Sequence, residues 1–210
     1  IKNGYLVTSC DVIAEFGEMS SLQKEEGFNK VIDCKGMLLT PGLLDIQVHL
    51  RDPGQTHKED LITGTKAAAK GGVTTVVCQP NTSPTIDTLA MADYLYYKAK
   101  AESYANVFVY PSITKGLKGE EMTDMISLAT HPIVVGFTDD GLPVMNAYIM
   151  RKAFENSKQT GKVIAQHAED IILSNKGCIN EGEVSAKLGV KGINNLTESI
   201  IVERDIALCR

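Results

Sequence analysis

The sequence predicts an α/β fold: a (β/α)8 TIM-type barrel represented by five βα units, preceded by part of a small β domain. Three observations carry that reading. Apolar, β-branched runs recur at Leu43–Leu50, Val73–Val77, Val107–Tyr110, Ile133–Phe137 and Val163–Ala165, and their central residues (His49, Val77, Val109, Phe137, Ala165) lie 28, 32, 28 and 28 residues apart. Polar residues collect just after several of these runs. Residues 1–40 show no such interval.

An interval of that size holds one strand, one helix and two loops. Strands that alternate with helices pair in parallel, because each crossover carries the chain back to the same end. A doubly wound open sheet would share the rhythm, but it would carry GxGxxG after its first strand, and the sequence has none there. Polar groups at the ends of several different strands favour the barrel instead. A complete barrel takes about 250 residues, so a chain of 210 residues is short for one.

In chain order, residues 1–40 read as short strands at Gly4–Thr8, Val12–Phe16, Lys30–Cys34 and Met37–Thr40, separated by polar, Gly-bearing turns. Ser20–Asn29 is polar and aperiodic and reads as a loop. The barrel portion spans 41–210. Its helices are expected at Glu59–Lys70, stopped by Gly71-Gly72; Thr88–Ser103, with Asp87 as N-cap; Glu120–Ala129; Asn146–Thr160, ending at Gly161; and Ser199–Cys209. Residues 175–197 are polar and Gly-rich, and neither they nor residues 20–29 suggest a function.

Composition narrows the partners. At 43% hydrophobic and 22% charged the chain is ordinary globular protein. A net charge of −5 argues against a nucleic-acid or anionic-membrane surface. Nowhere is there a run of about 18 apolar residues, and no secretory signal is legible although the chain starts at Ile1. Five scattered cysteines without a CxxC argue against a disulfide framework and for a reducing cytoplasm.

The chemistry begins on the first barrel strand. Side chains alternate faces with period two, so Gln47, His49 and Arg51 share one face, opposite Ile46, Val48 and Leu50. Thr138-Asp139-Asp140-Gly141 follows the fourth strand and Gln166-His167-Ala168-Glu169-Asp170 the fifth. Adjacent carboxylates repel unless a cation or donor stands nearby, and imidazole with carboxylate suits Zn²⁺ or a similar cation. Each cluster also has a plainer reading: Asp139-Asp140-Gly141 as a turn and cap, and Glu169-Asp170 as negative charge at a helix N-terminus, the reading preferred there. Gln79-Pro80-Asn81-Thr82-Ser83-Pro84 is by itself a turn signature. His131, before Pro132, reads as surface structure; His57 lies in the first barrel loop.

These residues resemble the dihydroorotases of the amidohydrolase superfamily. The likeness rests on the stretch Pro41 to Gly54, on Lys58-Glu59-Asp60, Gly71-Gly72-Val73-Thr74-Thr75 and Pro80-Asn81-Thr82, and on Phe137 to Gly141, His167 to Asp170 and Val202 to Leu208. It covers nearly everything after residue 36. The resemblance implies the bacterial long-chain type: a (β/α)8 barrel flanked by a small β-sandwich, to which 1–40 would contribute. It implies reversible hydrolysis of L-dihydroorotate to N-carbamoyl-L-aspartate in pyrimidine biosynthesis, with one or two zinc ions activating the attacking water. By position His49 and His167 would be metal ligands and Asp139 the catalytic bridging carboxylate, with Asp140 as the alternative. Arg51 and Asn81 would bind the substrate carboxylate, a group that a guanidinium fork matches. A further ligand histidine and a proton-shuttling general-base aspartate would follow Arg210.

Gln47 stands where the family usually has the first histidine of His-x-His. An amide oxygen is a poor zinc ligand beside imidazole, so that position is uncertain and a second metal site is in doubt. The implied partners are a small-molecule substrate, a second copy of the chain and aspartate carbamoyltransferase. Two other readings stay open. One is a non-catalytic dihydroorotase-like subunit of an aspartate carbamoyltransferase complex, which Gln47 favours and the retained polar mouth opposes. The other is a hydantoinase, dihydropyrimidinase or allantoinase, opposed by Arg51, since a substrate without a carboxylate leaves that cation unpaired.

Overall fold

The computed structural model describes residues 1–23 and 27–210, and the chain divides into two units, Ile1–Pro41 and Gly42–Arg210. Residues 24–26, within the stretch expected as a loop, lie outside the described residues.

In the first unit, β1 (Gly4–Ser9) and β2 (Val12–Glu18) form an antiparallel ribbon with Leu6 opposite Phe16. Two residues connect them, and Cys10 takes a φ of 53°, the left-handed geometry that tight hairpin turns require. The strands expected at Lys30–Cys34 and Met37–Thr40 do not form. The amide of Lys35 bonds to Asp33 Oδ1 and that of Met37 to Cys34 O, each at 2.9 Å, which turns the chain between them. Neither flank finds a ladder partner among the described residues, and Val31, Ile32, Met37, Leu38 and Leu39 are exposed. β propensity measures fit to a half-buried pleated surface, and among the described residues none covers this segment. One two-stranded layer is described where a sandwich has two.

The second unit alternates strands and helices. β3 (Leu43–Val48), β4 (Val73–Cys78) and β5 (Asn106–Val109) pair in parallel in that order. A parallel bridge from Val109 to Val134 leads to β6 (Gly136–Phe137), which pairs in parallel with β7 (Val163–Ile164). Neighbours in sequence are thus neighbours in space. All C-terminal strand ends in each sheet point the same way, which is what gathers their loops.

The helices fill the intervals. Those between the sheet strands are α1 (Leu61–Lys70), α2 (Leu89–Glu102), α3 (Met125–Ala129) and α4 (Ala147–Thr160). Asp60 caps α1 by accepting from Thr63 N at 2.7 Å. Gly64 costs α1 about 1 kcal/mol of helix propensity relative to Ala, but a Cβ there would lie 2.5 Å from Leu50 Cδ2. Leu50 fills that space and is buried. Thr88, not Asp87, caps α2; the Asp87 carboxylate is engaged by Gly116 N at 2.9 Å. α3 is shorter than expected because residues 121–123 pair back with 113–115: Lys115 N bonds to Glu121 O and Thr123 N to Ile113 O. Asn146 caps α4, and Gly161 ends it at a φ of 69°.

After β7 come α5 (Ile171–Ser174), a parallel pair β8 (Ile179–Asn180) and β9 (Gly192–Ile193) enclosing α6 (Glu183–Leu188), and α7 (Leu196–Cys209), which packs on α4 and α5. The pair β8–β9 lies in the stretch read as polar and Gly-rich; strands of two residues leave no alternation to read. The core runs through Leu61, Val76, Ile86, Leu95, Val109, Ile113, Leu128, Ile133, Phe137 and Met150, all essentially inaccessible. Full burial of such side chains contributes about 1.5–3 kcal/mol each. No helix among the described residues is long and apolar enough to cross a membrane.

Candidate active site

The ends of β3, β6 and β7 meet at one carboxylate, that of Asp140. Gln47 Nε2 donates to Asp140 Oδ2 at 3.1 Å, and His49 Nε2 stands 3.5 Å from the same oxygen. His167 Nδ1 is 3.0 Å from Asp140 Oδ1. Gln47 and His49 reach it together because alternate residues of a strand share a face. Asp140 is buried, whereas each imidazole is about a third exposed, at 35%. The buried group therefore forms the floor and the histidines the wall.

Asp139 does something different. Its side chain is fully buried and accepts from Ile113 N at 2.7 Å, Thr114 N at 3.0 Å and the Thr114 hydroxyl. Burial pushes its pKa above the ordinary carboxylate range, and the Thr114 and Ile113 donors oppose that rise. The bridging role expected of Asp139 does not match this placement, since its oxygens are committed to the loop after β5. Asp140, the alternative, occupies the position between the histidines.

The second pair lies beside the first. Arg51 Nη1 donates to Asn81 O at 3.3 Å, and Asn81 Oδ1 faces His49 Nδ1 at 3.1 Å. Asn81 Oδ1 can only accept, so His49 Nδ1 carries the proton of that contact, and Nε2 is the ring nitrogen that faces Asp140. With its oxygen engaged by His49, the Asn81 side chain keeps its NH2 group as a further donor.

His167 Nε2 is 3.3 Å from Glu169 Oε2, and Asp170 caps α5 through Ile172 N and Leu173 N at 2.9 and 3.0 Å. Both acids serve the helix start or the neighbouring histidine. His131 pairs with Asp93 at 3.1 Å and stacks edge-on against Tyr96, while His57 is exposed; neither joins the cluster. Sequence reasoning passed over Asp52, Tyr94 and Lys98. Asp52 is buried directly after Arg51, bonded by Tyr94 Oη at 3.1 Å and paired with Lys98 Nζ at 2.7 Å. The available signal was the four-residue spacing of Tyr94 and Lys98, which puts both on one helix face.

Two imidazoles and a carboxylate are donors of the kind zinc takes. Each histidine now contacts Asp140 separately, and among the described residues no three His, Cys, Asp or Glu side chains already enclose a common point. The donor types fit a cation that would displace those direct contacts.

Comparison with known proteins gives the site a context. A family model described as dihydro-orotase-like matches residues 36–210. The dihydroorotase of Wolbachia sp. subsp. Drosophila simulans is 54% identical over 207 residues, which is 99% of this chain and 46% of the relative. That of Ehrlichia chaffeensis is 51% identical over 208 residues, again 99% of this chain and 46% of the relative. The chain therefore spans about half the length of the curated relatives it matches. Among solved structures, the L-hydantoinase (dihydropyrimidinase) of Arthrobacter aurescens superimposes with a TM-score of 0.74 at 19% identity, over 93% of this chain and 44% of that one. At that identity the likeness concerns the fold alone.

Proposed function

The chain belongs to the dihydroorotase-like family, and from that premise we propose that the whole protein is a dihydroorotase. It interconverts L-dihydroorotate and N-carbamoyl-L-aspartate in cytoplasmic pyrimidine synthesis. The parallel strands described here are the first staves of its (β/α)8 barrel, and the N-terminal ribbon contributes to a small β-sandwich. The observation that carries the reading is the meeting of Gln47, His49 and His167 on Asp140, with Arg51 and Asn81 alongside.

In this reading His49, Asp140 and His167 hold a zinc or similar cation, which when bound makes water acidic enough to attack and polarises the ring amide carbonyl. Asn81 Oδ1 accepts from His49 Nδ1 and orients the ring. Gln47 holds one oxygen of Asp140 in place, a supporting bond of the kind that keeps a ligand aligned. Arg51 and the Asn81 amide take the substrate carboxylate, and two charge-assisted bonds would fix its orientation as well as its charge. A carboxylate-binding Arg51 favours dihydroorotate over cyclic amides that lack the group. A second copy of the chain and aspartate carbamoyltransferase are its proposed partners.

The test is direct. Full-length protein supplied with Zn²⁺ should cyclise carbamoyl aspartate and lose that activity with a chelator. Metal-replete protein with no turnover of either compound would overturn the assignment.

A further inference from the structure

Arg51 sits in an unfavourable backbone conformation, with a φ of 56°. A non-glycine residue persists in that left-handed region only when its surroundings over-determine it. Two sets of contacts do so. The loop that follows is stitched to the loop after β4: Ser83 N bonds to Pro53 O at 3.0 Å, and Gln55 Nε2 bonds to Asn81 O at 3.3 Å. The approach is so close that a Cβ on Gly54, itself at a φ of 84°, would lie 1.8 Å from Ser83 O.

The second set comes from α2. Asp52, the residue after Arg51, is only 2% exposed, and its carboxylate is engaged by this helix. Tyr94 Oη donates to one oxygen at 3.1 Å, and Lys98 Nζ pairs with the other at 2.7 Å. Lys98 Nζ also donates to Tyr94 Oη at 3.3 Å, closing a three-membered ring. The Asp52 carboxylate holds the Lys98 pKa up at about 12, so Lys98 keeps its charge throughout the neutral range. A buried carboxylate with one cationic partner is a strong tether, because loss of that partner leaves a charge without compensation.

We propose that Lys98 and Tyr94 are positioning residues for substrate binding: by clamping the Asp52 carboxylate they lock the turn at Arg51, and so aim its guanidinium at the substrate carboxylate. Neither touches the substrate. The proposal rests on the role given to Arg51 under Proposed function. A misaimed clamp weakens ground-state and transition-state binding alike, so the effect falls on KM rather than kcat.

Steady-state kinetics of full-length Lys98→Met, Tyr94→Phe, Lys98→Arg and Arg51→Ala variants in dihydroorotate hydrolysis test the idea. Lys98→Met should raise KM about tenfold with kcat within about twofold, an effect in the range of a lost buried-charge contact. Tyr94→Phe should raise KM about threefold, and Lys98→Arg should restore most of the loss. If Arg51→Ala raises KM while properly folded Lys98→Met and Tyr94→Phe do not, the positioning role is overturned and that of Arg51 stands. If Arg51→Ala leaves KM unchanged, the role of Arg51 fails first. Should Lys98→Met not fold, Tyr94→Phe decides alone: an unchanged KM sinks the proposal. Equal losses in kcat and KM for the two α2 variants would also overturn it, since that pattern reports general damage.

Discussion

The strand ends at β3 and β6 supply the two sides of the site, and they are built on opposite plans. At the β6 end both carboxylates are buried, and Asp139 is satisfied entirely by neighbours, two backbone amides and a hydroxyl. At the β3 end the working groups are half-exposed and borrowed support is needed: Asn81 for His49, and the Asp52 ring with α2 for Arg51. Where neighbouring donors occupy both oxygens, as at Asp139, a buried carboxylate is out of reach of a ligand. Exposure keeps a group available and leaves its aim to others.

Three substitutions sharpen that contrast. The largest effect is expected for Asp140→Ala, which removes the group on which both histidines converge. Metal content should fall to background by elemental analysis, and hydrolysis should drop by at least about a thousandfold, since metal activation of water accounts for several kcal/mol of barrier. Retained metal would show that Asp140 is not a ligand. Asp139→Ala should act on the fold instead. Two buried amides would lose their acceptor, at about 1–3 kcal/mol each, seen as a clearly lower Tm with near-normal metal content in whatever protein remains folded. A normal Tm with lost metal would reverse the roles of the two aspartates. The smallest effect belongs to Gln47→Ala. Loss of one supporting bond to Asp140 should weaken metal affinity about tenfold, measured by competition with a chromogenic chelator, and an unchanged affinity would make Gln47 a bystander.

Much of this was legible in the sequence, for physical reasons that also mark the limits. β4 announces itself because a central parallel strand favours a continuous β-branched run, as in Val73-Thr74-Thr75-Val76-Val77. Helix limits follow Asp60, Asn146 and Gly161, whose capping chemistry is local. Where the outcome depends on a distant partner, the sequence misleads. Asp87 looks as good a cap as Thr88 until Gly116 claims it. Met37-Leu38-Leu39 has the composition of a strand and, among the described residues, no strand paired with it. The same limit governs the site. His49 and His167 could be placed by period and position, but Asp139 and Asp140 are adjacent, and only the tertiary position of Thr114 separates them. Asp52 and Lys98, 46 positions apart in the numbering, are joined by nothing a linear pattern contains.

Asn81 joins two sets of contacts. Its main-chain oxygen receives Arg51 and Gln55 while its side chain meets His49. A single residue thus spans the substrate-holding and the ion-holding halves, and a small shift of its loop would misalign both together. Evolutionary adjustment of one half without the other is correspondingly hard, so changes of substrate preference in such a scaffold should arise at Arg51 or farther out, with the asparagine left alone.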